Sequence, residues 1–595
     1  MVALRSAFAF VRSSRVPKGG RWWPRSARAI CLAAAMSAAF PLAAEDHEAA
    51  AVRDFNTTAA LQNNGFYDKA LVRWTAFLKD HPADERVAKA TYYLGICQLQ
   101  TRKFAEAIQT FTAVGKKFPT FENAEGVAFN LGMARYQLAR EGKKPAEWKT
   151  AAAEFAAVLQ KFPAGPLAAK AAYLRAESLY AAGDVAGAIE AYSVLVAKHP
   201  ESPQVADAVY AMGVAQQELS KFAEAAATYE KFLGNPRLAG QPLATEVRLR
   251  LGVCLYELGK FAEAEPKFAD VAGRKDFELA DFAMLRQGQC RVEQGKKAEA
   301  VPIFVALPKT FPKSSYKVAA LIGAGKNLVE TGKHAESEPS LRAAAADPAA
   351  TAEEQAEAAY WLGRSLIKQG KAAEAIAVLD PVVQKLTATS LASYLAMARA
   401  DALYEIPARR SESGAAYAAI AEKHPDHPLG PEAEYMAALV PLGAEDFAAA
   451  RQRAEKFLER RKDPANPLRP LVLFIAAEAT LRGDGQKDAA QRAKAESLYR
   501  QLIDAHPGHD RVPRSAVRVG WCLLEGGKPA DAVAFLSGRV ATFSDPETAA
   551  EAHQLIGRGE ARQGRHAEAV AAFEKSLAAK PDRGRADEVL FEAAQ

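Results

Sequence analysis

Little in this sequence of 595 residues is suited to covalent, redox or metal chemistry. Cysteine is scarce: five residues, one of which, Cys31, lies in an apolar N-terminal run. The other four, Cys97, Cys254, Cys290 and Cys522, each stand two places after a recurring glycine. Equivalent places in stacked helices are about 10 Å apart, beyond the roughly 7 Å Cα span that a disulfide bridges, so these cysteines read as small buried apolar residues. The sequence has no H-E-x-x-H and no G-x-S-x-G. Gly323-Ala324-Gly325-Lys326 lacks the spacing and the preceding strand of a phosphate loop. His424 with His427, and His506 with His509, give an H-x-x-H spacing, but no cysteine or carboxylate at ligand spacing completes a shell. The expectation is a protein that is not an enzyme, with no catalytic residue, no metal and no cofactor.

Surplus charge is also missing once the chain is divided at Ala44. Seven basic residues and no acidic one precede that point, which leaves 70 basic and 71 acidic residues after it. A nucleic-acid partner is therefore not expected, because nothing would displace counterions from phosphates. Apolar runs of membrane length are absent as well. The one apolar run, from Ala29 to about Ala43, is short of the roughly 20 residues that cross a bilayer. With its basic lead and the small residues before Glu45, it has the parts of a secretory signal. Residues 1–44 are thus expected to be a signal peptide and the protein to be exported, periplasmic in a bacterium. No cysteine closes the run, so no lipid anchor is expected, and no stable membrane span remains after cleavage.

What the sequence has in abundance is alanine and internal repetition. Tyr93-Leu94-Gly95-Ile96-Cys97, Asn130-Leu131-Gly132-Met133-Ala134, Arg250-Leu251-Gly252-Val253-Cys254, Trp361-Leu362-Gly363-Arg364-Ser365 and Leu555-Ile556-Gly557-Arg558-Gly559 are versions of one pattern. From Gly213 through Gly252, Gly288, Gly325 and Gly363 the spacing is 36 to 39 residues. Seven places after the key glycine comes a turn residue (Gly259, Gly295, Gly332, Gly370, Gly527, Gly564), twelve after it a small residue (Ala107, Ala225, Ala264), and sixteen after it usually an aromatic or Leu (Phe111, Tyr229, Phe268, Phe304, Leu379). These offsets describe a helix, a tight turn and a second helix packed back on the first. Eight times a proline follows the second-helix aromatic by eight residues, as Phe111 is followed by Pro119, and proline cannot continue a helix. His81, His199, His424 and His506 precede such a proline, where the negative helix end would favour a partly protonated imidazole. Insertions near Glu141 to Trp148 and Arg482 to Gln491 fall at the turn between paired helices.

The pattern resembles the tetratricopeptide repeat family over residues 53–595. The longer link after the proline is similar to an envelope subclass that includes the Tol-Pal accessory protein and the tetratricopeptide lipoprotein of the outer-membrane β-barrel assembly machine. The resemblance implies an all-α fold, a right-handed α-solenoid of about fourteen helix-turn-helix units: 45–384 regular, 385–481 degenerate with a flexure, and 482–595 regular again and ending in a half repeat. It implies that first helices line a concave face with residues three before and four after the key glycine turned inward. That turns Tyr92, Phe129, Tyr173, Tyr210, Tyr360, Tyr435 and Phe474 inward, with Tyr136, Tyr180 and Tyr256; of these Tyr92, Phe129, Tyr136, Tyr173, Tyr180, Tyr210, Tyr256 and Tyr360 are the candidates for binding partner proteins or peptides, tyrosine being a large amphipathic anchor. The implied function is an exported interaction scaffold in cell-envelope assembly or maintenance. The alternative is the repeat portion of an envelope enzyme, like the ring of a lytic transglycosylase, with its catalytic domain outside this chain.

Overall fold

The computed structural model describes residues 42–581 and 586–594. Among these the chain is helix joined by short turns, without strands. The expected signal segment lies outside the described residues apart from its last three, and so does Cys31.

Each unit is made by a few local rules. Helix Ala244–Glu257 ends because Gly259 takes φ +72°, and the two following N–H groups turn back, Gly259 to the Tyr256 carbonyl and Lys260 to the Leu255 carbonyl, both at 2.9 Å. That pair of bonds satisfies carbonyls the helix end would otherwise leave open. Lys260 then caps the next helix, Phe261–Ala272. The expected turn glycines Gly295, Gly332, Gly370, Gly527 and Gly564 share the positive φ. Repeats without glycine put Arg102, Ser220 and Glu445 into the same conformation. The Lys-to-Glu pairs at the helix entries, such as Lys221 with Glu224 and Lys260 with Glu263, are exposed links of 3.4 and 3.7 Å, which contribute little.

The key glycine meets the second-helix ring directly. A Cβ on Gly95 would lie 2.6 Å from Phe111 Cε1, on Gly213 2.4 Å from Tyr229 Cε1, and on Gly288 2.5 Å from Phe304 Cε1. The hydrogen side chain therefore leaves the pocket that the ring fills, and those rings are fully buried or nearly so. Second helices stop where proline approaches: Phe104–Lys117 ends at Phe118, before Pro119, and Arg410–Lys423 ends at His424, before Pro425. The residue before proline is held off the helical region.

Both insertions sit at the inter-helix turn. The first lengthens the two helices, Ala124–Gly142 and Pro145–Lys161, and moves the turn to Lys143 at φ +54°. Phe155 then takes the ring position over Gly132. The second becomes a π-turn, Leu481–Gly485, after which the Asp488 carboxylate accepts from the N–H groups of Ala490 and Gln491 to start Ala489–Ala505. Pro470 lies in the first turn of Arg469–Thr480, and Pro441 lies near the end of Gly430–Gly443. The stretch expected to be degenerate is built of the same helix pairs, Ala392–Glu405 with Arg410–Lys423 and Gly430–Gly443 with Phe447–Arg460.

Two compact units divide the described residues, one ending at residue 191 and the other beginning at residue 192. In the first, successive cores form around Trp74, Phe111 and Phe155. In the second they form around Phe304, Leu379, Tyr417, Phe457 and Tyr499. Within each, a helix packs chiefly on its neighbours along the chain, and first helices also touch the next first helix, as Ala352–Lys368 does with Ala392–Glu405. This is nearest-neighbour construction, the mark of an α-solenoid.

Candidate functional site

First-helix and second-helix rings have different surroundings. On second helices Trp74, Phe111, Phe155, Tyr229, Phe268 and Tyr499 are completely buried. On first helices Tyr92, Tyr136, Tyr173, Tyr180, Tyr210, Tyr256 and Tyr360 are half-buried. Phe129 departs from this set: it is 5% exposed, 5.8 Å from the Phe155 ring, and covered by Lys170 at 5.4 Å. Phe474, turned inward by the same register, is likewise core at 9% exposed.

In the first unit the Tyr92 ring lies against Tyr93, Phe111 and Phe121, and its hydroxyl accepts from Asn130 Nδ2 on the next first helix at 3.0 Å. Burial pushes the Tyr92 phenol above its ordinary pKa. Tyr136 stands edge-on at 5.1 Å to Trp148, in the first turn of the lengthened helix Pro145–Lys161. Tyr136 and Tyr173 both border the core around Phe155, while Tyr180 lies at the end of helix Ala168–Ala181.

In the second unit Arg250 covers the Tyr210 ring at 5.3 Å, donates Nε–H to its hydroxyl at 3.0 Å, and is held by Glu246 at 2.8 Å. The Tyr210 phenol is pushed up to about 12, mainly by burial. Arg286 covers Tyr256 at 4.8 Å. Tyr360 meets Trp361 and Tyr394 at 5.2 and 5.9 Å, and Arg364 donates to its hydroxyl at 3.2 Å.

The sequence reading missed the groups that reach these rings. Asn130, Arg250 and Arg286 all stand two residues before a key glycine, and each contacts a ring of the preceding first helix. Arg518, two before Gly520, reaches back in the same way to Glu478 at 3.1 Å, and Glu478 accepts from the Tyr499 hydroxyl at 2.7 Å. The signal was present as a recurring polar residue at one register position, but its partner lies a whole repeat away.

Cys97, Cys254, Cys290 and Cys522 are free and buried, and burial pushes each thiol up to about 12. Among the described residues no group of three or more His, Cys, Asp or Glu side chains converges as a metal site would. The His427 ring accepts the Leu429 N–H through Nδ1, a turn-forming role. His506 corrects the expectation for histidines at helix ends. Burial, helped by His509 and Arg469, lowers its pKa, so desolvation outweighs the helix terminus. No described helix is long and apolar enough to cross a membrane.

The stacked helix pairs, with a ring seated on a glycine in each, define an all-α solenoid. Models described as tetratricopeptide repeat match residues 59–120, 146–203, 210–278 and 322–390, then 282–314, then 550–583, together more than half of the chain. The chain belongs to the tetratricopeptide repeat family. No curated protein matches it in sequence. Similar solved structures include the APC/C hetero-tetramer Cut9-Hcn1, at 13% identity over 90% of this chain and 95% of that chain, with a TM-score of 0.28. Naa15/Naa10 bound to HypK-THB matches at 14% identity, 91% and 96% coverage and a TM-score of 0.35. A tetratricopeptide repeat protein from Parabacteroides merdae matches at 17% identity, 53% and 99% coverage and a TM-score of 0.24. The assignment rests on the repeat models and on the packing described above. Proteins of this family generally mediate protein–protein interactions.

Proposed function

We propose that this chain is an exported scaffold, periplasmic in a bacterium, that holds partner proteins or peptides along the face formed by its first helices and serves cell-envelope assembly or maintenance. The observation that carries the reading is the difference between the two sets of rings. These second-helix rings are closed into the core, while the first-helix tyrosines stay half-buried, and Tyr92, Tyr210, Tyr256 and Tyr360 each lie beside an Asn or Arg side chain. A half-buried tyrosine has already lost much of its rotamer freedom, so a partner covering it gains contact area at low entropic cost. Export is supported by the basic and apolar leader in the first 44 residues.

Photo-crosslinking groups placed at Tyr180 and Tyr360, on first helices, and at Val72, an exposed second-helix position, test the reading in the native cell. Crosslinks to envelope proteins are expected from the first two positions. Capture from Val72 alone, or fractionation of the protein with the cytosol, would overturn it.

A further inference from the structure

Arginines that lie over aromatic rings are in most places already engaged. Arg250 over Tyr210 is held by Glu246, Arg461 over Phe457 by Glu434, Arg482 over Phe447 by Glu445, and Arg500 over Phe535 by Glu496. Arg410 and Arg539 donate to the carbonyls of Tyr404 and Phe535. Arg511 and Arg514 differ. Their guanidinium carbons lie 5.4 and 5.8 Å from the centroid of one ring, Phe474, and among the described residues neither side chain has a carboxylate or any other acceptor.

Among the described residues no neighbouring carboxylate pairs with this charge. Asp510, 78% exposed, is turned to the His509 ring at 2.9 Å and bonds neither arginine. Glu478 and Glu551 are taken by Arg518, and Glu434 by Arg460 and Arg461. Arg469, which donates to the carbonyls of Leu458 and Arg461, adds another positive group. A guanidinium resting on a ring has its face covered while its N–H edge stays free to fork onto a carboxylate. Because the chain beyond residue 44 is near neutral, no diffuse field draws long polyanions. The positive charge is local, matched in size to one or two acidic side chains.

We infer that Arg511 and Arg514, held on the face of Phe474, receive side-chain carboxylates from an acidic segment of a partner protein. The inference rests on the scaffold reading and commits it to one chemistry at one place in the second unit.

The test uses the full mature chain and fluorescein-labelled octaglutamate in an anisotropy titration at low salt. Octaglutamate is expected to bind and octaglutamine not to. R511Q/R514Q weakens binding about 10- to 100-fold, the loss of one or two charge-assisted hydrogen bonds, without moving the melting temperature. R511K/R514K falls between, since lysine keeps the charge but not the fork. Equal binding by the folded double Gln variant, equal binding of octaglutamine, or no binding of octaglutamate overturns the inference. Tighter binding of a single-stranded DNA octamer, or full competition by inorganic phosphate at equal charge, overturns the choice of carboxylate. The two readings fail separately. Crosslinks on first helices with octaglutamate indifferent to the arginines would leave the scaffold and remove this site. Arginine-dependent binding with cellular crosslinks confined to second helices would do the reverse.

Discussion

Ser220 occupies a backbone position built for glycine. At φ +58° its Cβ crowds the following carbonyl, a strain of about 1–2 kcal/mol for a residue with a side chain. Unlike Arg102 and Glu445, which share the conformation but pair with Glu141 and Arg482, Ser220 takes part in no described ion pair. Ser220→Gly is therefore expected to stabilise the chain by up to about 1 kcal/mol, after the added freedom of the unfolded glycine is subtracted. Thermal unfolding of the two proteins measures it, and a lower melting temperature for the variant would refute the strain. A second residue-scale expectation concerns Asp401. Burial raises its pKa above the ordinary value, against the opposing hydrogen bond from the Tyr417 hydroxyl at 2.6 Å, and Glu432 adds to the rise. A carboxyl whose folded pKa is raised binds protons more tightly folded than unfolded. Its charged form costs stability at neutral pH, and the cost is relieved as pH falls through the folded pKa. Asp401→Asn keeps the acceptor and removes the charge, so it should be the more stable protein at pH 7 and lose that advantage in acid. Melting curves across pH decide this, and parallel curves would argue against it.

At the scale of the helix pair, the decisive contact is glycine against ring. Gly288→Ala places a methyl 2.5 Å from the Phe304 ring and is expected to cost about 1–3 kcal/mol, the usual penalty for overpacking. Gly115 is the control: helical, exposed and with nothing within 4 Å of an added Cβ, so Gly115→Ala should stabilise by about 0.5–1 kcal/mol through helix propensity. Denaturant titration compares the two, and equal effects would mean that glycine is retained for backbone reasons alone. The helix, the turn glycine, the closing proline and the ring sixteen residues on were all legible in sequence, because each acts within one unit. The ring resting on the key glycine was not read there, although both residues were noted. The offset fixes which residues share a pair of helices, but only packing shows that they touch.

For the whole molecule the consequence is short-range coupling. Helices pack chiefly on their neighbours along the chain, so damage should stay near its origin. In Gly288→Ala, faster hydrogen exchange is expected in helices Phe261–Ala272 through Lys317–Glu330, while Val512–Glu525 and Pro546–Arg562 keep their protection. Uniform loss across residues 192–595 would show one cooperative body instead. The candidate binding face belongs to this scale too. Tyr92 and Asn130, or Tyr256 and Arg286, are a repeat apart in sequence and neighbours in space, and the eight expected rings were found from register without their partners. Phe129 was expected on the open face and is closed by Phe155 of its own unit and by Lys170 of the next first helix, a covering side chain that lies a repeat away in sequence.

Sequence alone determined the class of fold, since a period of 36 to 39 residues with glycine, small residue, aromatic and proline at constant offsets leaves each helix pair one way to close on itself. Tertiary structure alone decided which polar groups are already used and which are free. Arg250 and Arg518 are identical in kind to Arg511 and Arg514, but the first two are neutralised by Glu246 and by Glu478 with Glu551, and the second two are not. Charge pairing depends on separations of a few ångströms between repeats, which the order of residues along a chain does not record.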